Sequence, residues 1–584
     1  MAQTFPRSTV AKSVPRPRGA WVIDLLIVLV LIAIGYGVVR MAARWAAPMT
    51  PNVQISSSPW ALPGYAALST LRMALAYIVA LAFSLTYARL AVSRRGLERI
   101  MVPVLDILQS VPILSFLPGV VLGLVALFPH RNIGLELAAI VLIFTSQAWN
   151  LAFGFHQALR TIPRDLNEAA TLYRLRFWQR FTRLELPFGM ISLIWNSMMS
   201  WAGGWFFLMA AEQFRLGNRD FRLPGLGSYL ATAADDGNIP HLLLGLLTLV
   251  IVIVLLDQLV WRPLVAWGER FKMEQTGAAE APESAVLTAL QRSLLLRRMR
   301  HALADMRRVR EAPVAADPAP VDQPLVTDSG QTRRTNLDRL VIAVLLGMAG
   351  LFALWGLSQA LPVLTGLSRN DWRLVGEGAG ATLLRTMLAL LIAVVWTVPL
   401  GVAIGMNPRW ARRAQPLVQM VASIPATALF PALLLLLLRL PSGLNLAAIL
   451  LMLLGTQWYL LFNVIAGAMA IPTDLREVSA LFKISRWQRW RTLVLPAIFP
   501  YLITGLITAS GGAWNASIVA EYVNFGGKTR STIGLGSLIA RSANDGRFGL
   551  LFAATLTMSA IVVLVNRLLW RRLYRIAEER YRLD

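Results

Sequence analysis

The side chains best suited to chemistry in this 584-residue chain come in pairs at a nearly constant separation. Arg72 and Arg385 each stand one or two turns inside a strongly apolar stretch, where an arginine either holds an anion or snorkels to headgroups. Glu212 and Glu521 end apolar runs. An ionisable group at membrane depth is a functional candidate unless it merely pairs at the interface with an arginine such as Arg215. Trp205 and Trp514 lie beside paired glycines, which suits a pathway lining or close helix packing. Glu168 and Glu477 fall in loops rich in arginine and tryptophan. None of these sets forms an enzyme centre. The chain has no cysteine, which excludes disulfides, thiolate metal sites and cysteine nucleophiles, and its four histidines lack ligand spacing.

Two kinds of phosphate-binding fragment are decoys. Gly527-Lys528-Thr529 ends like a phosphate loop, but Tyr522 stands where its first glycine is required. Gly225-Leu226-Gly227 and Gly534-Leu535-Gly536 lack the third glycine of a dinucleotide fingerprint and read as helix-entry turns. No cofactor is expected in this chain, and any ATP chemistry must sit on a separate subunit.

The elements that position these residues are membrane helices. Apolar residues make up 56% of the chain, charged residues 15%, and mean hydropathy is +0.58, against about 25% charged in soluble domains. The net charge is +25, and arginine supplies 52 of the 56 basic residues. With so much apolar sequence, arginine gathered in short loops is the positive-inside signal of a bilayer partner, and no nucleic acid is expected. Runs long enough to cross a bilayer, roughly 20 residues each, fall near 21–41, 67–91, 101–128, 133–156, 188–211, 242–261, 338–362, 380–406, 414–440, 444–470, 497–520 and 549–570. The fold class is all-α and polytopic, about twelve spans. The basic segments alternate so that both termini are cytoplasmic. Asp106 is the clear carboxylate placed inside a span besides the two span-end glutamates.

Residues 263–337 lack a span and contain the flexible stretch APVAADPAPVDQP. They divide a first domain, 1–262, from a second, 338–584. Within this linker Leu295, Met299, Leu303 and Met306 recur at helical spacing among arginines, as in a basic amphipathic helix on an anionic leaflet or a docking helix.

The two domains are copies. IPRDLNEAATLYRLRFWQRFTRLELP begins at Ile162 and IPTDLREVSALFKISRWQRWRTLVLP at Ile471, an offset of 309 that also pairs Trp205 with Trp514 and Glu212 with Glu521. Earlier in each copy the offset is 313, pairing Arg72 with Arg385, Pro112 with Pro425 and Pro118 with Pro431. Each unit holds an even number of spans, so the repeats are parallel and both loops, 162–187 and 471–496, face the cytoplasm. Proline at each loop end delimits short helices.

These loops resemble the EAA coupling loops of binding-protein-dependent ABC importer permeases, whose pattern is Glu-Ala-Ala, three residues, glycine and a terminal Leu-Pro. Glu168-Ala169-Ala170 and Leu186-Pro187 fit that pattern, whereas Glu477-Val478-Ser479 before Leu495-Pro496 departs from it. Arg174 and Lys483 replace the glycine, so the turn between the coupling helices is expected to differ, or the added charge to select a particular ATPase surface. GGWFFLMAAEQF and GGAWNASIVAEYV, followed by GLGSYLATAADDGN and GLGSLIARSANDGR, are similar to the nitrate/sulfonate/taurine branch. The resemblance implies a type I importer-like inner-membrane permease with its two domains fused. It implies an anionic solute, of the nitrate, sulfonate, taurine or bicarbonate kind, delivered by a periplasmic binding protein. Two ATPase subunits would bind ATP and Mg and touch Glu168, Ala169, Ala170, Arg174, Pro187, Glu477, Lys483 and Pro496. Arg72, Arg385, Trp205, Trp514, Glu212 and Glu521 are the candidate pathway. The rival readings are an ion-gradient-driven secondary transporter, which needs a buried acid or proton relay, and a membrane scaffold or sensor.

Overall fold

The computed structural model describes residues 20–47, 53–216, 219–271, 284–296, 298, 347–348, 350–351, 354–525 and 528–580. In the first half the helices are α1 (Ala20–Ala46), α2 (Leu62–Ser93), α3 (Arg95–Ser110), α4 (Leu117–Leu127), α5 (Ile133–Arg160), α6 (Arg164–Leu172), α7 (Phe177–Arg180), α8 (Leu186–Glu212), α9 (Leu226–Asp235), α10 (Ile239–Leu256) and α11 (Arg262–Gly268). After α12 (Ala285–Arg292) the second half repeats the order from α13 (Arg369–Gly405) through α14 (Pro408–Ala422), α15 (Ala426–Leu437), α16 (Gly443–Met469), α17 (Thr473–Leu481), α18 (Arg486–Arg489), α19 (Leu495–Ala520), α20 (Leu535–Asn544), α21 (Phe548–Val565) and α22 (Arg571–Arg580). Seven of the described helices are long and apolar enough to cross a membrane.

Two of the expected spans are not single helices. The run 101–128 splits into amphipathic α3 and apolar α4, and 414–440 into α14 and α15. Proline explains both breaks, since it lacks a donor and excludes its predecessor from the helical region. Val111 is accordingly extended at φ −76°, ψ 124°, and Pro425 at φ −67°, ψ 129°. The expected span 338–362 is only partly described, and most of the expected amphipathic helix in the linker lies outside the described residues. The portion that is described anchors to α1, where Asp24 accepts from Ser293 Oγ at 2.5 Å and from the Leu295 amide at 3.3 Å.

In each half three long helices pack in sequence, α2 on α5 on α8 and α13 on α16 on α19. The loops 162–187 and 471–496 lie at one end of these bundles. At the other end sit two antiparallel hairpins, β1 (Arg215–Leu216) with β2 (Arg219–Asp220) and β3 (Tyr522–Phe525) with β4 (Lys528–Ser531). Lys528 and Thr529 therefore open strand β4, where a phosphate loop requires the start of a helix. The halves interlock through one apolar core in which Ile113, Leu117, Leu142 and Ala210 cluster with Trp514, Ile518, Leu535 and Met558. Asn515 Oδ1 accepts from the Leu114 amide across this seam at 3.3 Å.

Candidate functional site

At the hairpin end each half holds a buried ion cluster. Arg72 is fully enclosed, with Nε 2.6 Å from Glu136 Oε2, one terminal nitrogen 2.5 Å from Glu212 Oε1, and the other donating to Glu136 Oε1 at 2.9 Å and the Pro224 carbonyl at 3.2 Å. Ser69 donates to Glu212 at 2.7 Å, and the other Glu212 oxygen accepts from the Gly227 amide at 2.8 Å. Glu212 thus caps the first turn of α9, where backbone donors are unpaired. A Cβ on Gly225 would fall 2.3 Å from that carboxylate, so the approach requires glycine.

The second half uses the same plan with altered chemistry. Arg385 donates to Glu521 at 2.8 Å, to Asn445 Oδ1 at 2.8 Å, to Thr532 Oγ1 at 2.7 Å and to the Ile533 carbonyl at 2.7 Å. Thr382 replaces Ser69, and Glu521 caps α20 through the Gly536 amide at 2.9 Å. The Arg385 side chain keeps 12% of its exposure where Arg72 keeps none.

Glu212 therefore pairs with Arg72, while Arg215 pairs with Asp235 at 2.9 Å. Both arginines are held by partners within the protein, and neither lines the cavities described below. Glu136 is the acid that sequence reasoning missed. Its signal was present: the 309 offset places Asn445 opposite it, a polar residue in an otherwise apolar run in both copies. Asp106, expected inside a span, sits on amphipathic α3 and pairs with Arg571. Trp205 and Trp514 are both packed into apolar cores, and it is their neighbours Gly203 and Gly512 that border the central cavity.

At the other end α6 and α7, and α17 and α18, form matching helix pairs. Each pair is joined by a tight turn, at Arg174 in one and Lys483 in the other. Arg174 takes φ 48° and Lys483 φ 47°, the left-handed conformation that glycine favours. In both, the residue after the turn donates five residues back, Leu175 to Ala170 at 3.0 Å and Ile484 to Ser479 at 3.2 Å. That closes the helix end as a Schellman motif does. Ala170 and Ser479 point inward, and the Ser479 hydroxyl is satisfied by the Arg476 carbonyl at 2.8 Å. Glu168 and Glu477 are exposed, and Ala169 is half-buried. The tips present Leu172, Tyr173 and Trp178 in one copy and Leu481, Phe482 and Trp487 in the other, each at least 70% exposed. Pro187 and Pro496 occupy the first turns of α8 and α19, each reached through a π turn, at Phe181–Glu185 and Trp490–Val494.

The loops are held down differently. Below the first, buried Glu185 pairs with Arg89 and, at 3.1 Å, with Arg180, and the Arg89 guanidinium lies 4.2 Å from the Phe177 ring centroid. In the second copy Val402 and Val494 stand in place of Arg89 and Glu185, within one apolar cluster.

Cavities run between the halves. A 560 Å³ cavity at the hairpin end takes its polar lining from Gln213, Arg215, Asp235, Thr529, Asn544 and Asp545. Deeper lie contiguous spaces of 150 Å³, 90 Å³ and 580 Å³, the last next to the second loop at Met469 and Ala470. Among the described residues no group of His, Asp and Glu suits a metal ion.

The described helices thus form a parallel duplicated body with a matched loop pair at one end and cavities along the seam. The chain belongs to the family of binding-protein-dependent transport system inner membrane components, which matches it twice, over residues 78–260 and 397–582. It is a multi-pass membrane transport component. The nitrate import permease protein NrtB of Leptolyngbya laminosa is 28% identical over 188 residues, 32% of this chain and 64% of that protein. The bicarbonate transport system permease protein CmpB of Synechococcus elongatus is 28% identical over 187 residues, again 32% and 64%. The putative aliphatic sulfonates transport permease protein SsuC of Bacillus subtilis is 25% identical over 246 residues, 41% and 85%. The chain thus spans just under two thirds of the nitrate and bicarbonate relatives.

Proposed function

We propose that this chain carries the membrane-domain pair of an ATP-driven importer for an anionic solute, with residues 1–262 and 338–584 as the two permease domains joined by the linker 263–337. The observation that carries this reading is the pair of loops: the same left-handed turn, the same buried small residue and the same exposed aromatic tip recur 309 residues apart. Exposed apolar tips on an otherwise charged surface mark a partner interface. Two ATPase subunits, carrying the ATP and Mg, dock there on the cytoplasmic side. The hairpin end is periplasmic and receives solute from a binding protein. Nitrate, bicarbonate and aliphatic sulfonates, named for the relatives, support oxyanions as the solute class.

The mechanism follows from the geometry. Each loop continues through a π turn directly into a seam helix, α8 or α19, so a displacement of the loop pair is transmitted to the cavity walls. Closure of the ATPases draws the loops together and opens the hairpin end, and hydrolysis resets the inward-facing state. Among the described residues the deep cavities have no charged lining, whereas a proton-driven rival needs a titratable relay there. Affinity purification of the tagged chain from its native membrane tests the reading. An ATPase subunit should copurify, and a tag in the 263–337 linker should be shielded from impermeant label in intact cells. Labelling of the linker from outside reverses the orientation, and absence of an ATPase at every salt concentration removes the importer.

A further inference from the structure

Pseudo-symmetry makes the deep cavities comparable wall by wall, and the two walls have diverged. On one side the 150 Å³ cavity is lined by Gln109, Asn150, Thr508 and Asn515, together with Ser146 and Ser510. The repeat offsets place Ala422 opposite Gln109, Met199 opposite Thr508 and Phe206 opposite Asn515. Those three replacements border the 90 Å³ neck, and Met199 and Ala422 also line the 580 Å³ cavity, with Met198, Ala202 and Phe462. One wall is thus rich in neutral hydrogen-bonding groups, whereas the other is mostly apolar, and its polar members Gln419, Ser423 and Asn463 donate within the protein, to Met198 Sδ, the Gln419 carbonyl and the Tyr459 carbonyl. Two separate identical chains would have to present the same wall twice.

The polar wall holds unspent capacity. The side chains of Gln109, Asn150 and Ser510 make no hydrogen bond among the described residues, and the Trp149 and Trp570 indole N–H groups are buried without a partner, while Tyr459, which the offset places opposite Asn150, reaches the same cavity from the facing side. Neutral donors suit an oxyanion in transit: they stabilise the charge without the tight pairing an arginine would impose, so release stays fast. A compact inorganic anion has no use for the apolar side. Each methylene moved from water onto such a surface favours binding.

We infer that the solute binds off the pseudo-two-fold axis, its oxyanion head on the Asn150–Asn515 wall and an aliphatic portion on the Met198–Met199 wall. The chain then selects organic anions with an apolar tail over compact inorganic ones. This rests on the importer reading above and deepens it.

The test is ATP-dependent uptake of nitrate, methanesulfonate and 1-hexanesulfonate by membrane vesicles holding the full transporter with its own ATPase and binding protein. The expected order is hexanesulfonate above methanesulfonate above nitrate. In Met199→Thr with Phe206→Asn, which copies the polar wall onto the apolar one, the hexanesulfonate to methanesulfonate ratio should fall about tenfold, within the range by which small changes in apolar contact discriminate substrates. Should that variant fail to accumulate, Met199→Ala alone should move the ratio in the same direction. An unchanged ratio, or wild-type preference for nitrate over hexanesulfonate, overturns the inference and leaves the importer standing. ATP-independent uptake of all three removes the importer and the inference together.

Discussion

The first half of the molecule spends charge where the second half does not. Around Arg72 two carboxylates are buried; around Arg385 the second is replaced by Asn445, and the arginine stays partly exposed. Beneath the loops, Arg89 and Glu185 give way to Val402 and Val494. The element order is the same in both halves, so neither the second carboxylate at Arg72 nor the Arg89–Glu185 pair is required by the fold. A buried ion pair roughly breaks even with an apolar pair of similar volume, which is how one copy can drift to the other solution. What cannot drift freely is one member of a pair alone.

That asymmetry predicts the largest effect. Arg72→Met leaves Glu136 and Glu212 buried without a counter-charge, and breaking such a site costs about 3–5 kcal/mol or more. The variant should fail to accumulate in membranes, as measured by immunoblot against wild type. Arg385→Met strands one acid at a less enclosed site and should retain a measurable fraction. Equal loss in both would mean that the extra acid, Glu136, contributes nothing to the difference between the halves.

Next in size is a transplant. Glu185→Val alone leaves Arg89 unpaired and should cost about 3 kcal/mol, whereas Glu185→Val with Arg89→Val reproduces the second half and should recover most of that. Thermal unfolding of the purified protein in detergent reads both. A double variant as unstable as the single one would show that the two loops are anchored by different packing, not by interchangeable pairs.

The loop surface should respond less severely. Both glutamates are exposed, so charge reversal leaves the spans folded, and its effect falls on the partner. Truncating one member of a largely desolvated interfacial charge pair costs roughly 2–5 kcal/mol. Glu168→Lys should reduce ATPase copurification and uptake, and Glu477→Lys, in the copy that carries Val478 and Ser479, should do so more mildly. Normal values for both at equal abundance would take these residues out of coupling.

Much of this was legible in the sequence because duplication doubles every signal. The loops, the Arg72–Arg385 and Glu212–Glu521 pairs and the proline positions all emerge from offsets alone. The breaks after Val111 and before Pro425 were readable from proline chemistry, but continuous apolarity hid them. Glu136 was lost because a single acid one turn into an apolar run looks like an interfacial residue until its partner across the bundle is known. The roles of Arg72 and Glu212 were open for the same reason: they are 140 positions apart, and only packing reveals that each answers the other. The divergence of the cavity walls was invisible because it depends on which of the paired positions face the seam.

The smallest effect probes the place where the halves agree. Arg174 and Lys483 hold a left-handed conformation that costs a residue with a Cβ roughly 1–2 kcal/mol. Glycine removes that cost but gains freedom in the unfolded chain, which returns about 0.5–1 kcal/mol of it. Arg174→Gly and Lys483→Gly should therefore each raise stability slightly, by about 0.5 kcal/mol, and by similar amounts, while Arg174→Val should lower it, because branching at Cβ is least tolerated at positive φ. The retention of a cation at both turns despite that strain points to the partner surface rather than the fold. If that is its role, the glycine variants will unfold later than wild type yet lose ATPase copurification as salt is raised. Unchanged salt sensitivity would mean that the charge is incidental and that only the turn matters.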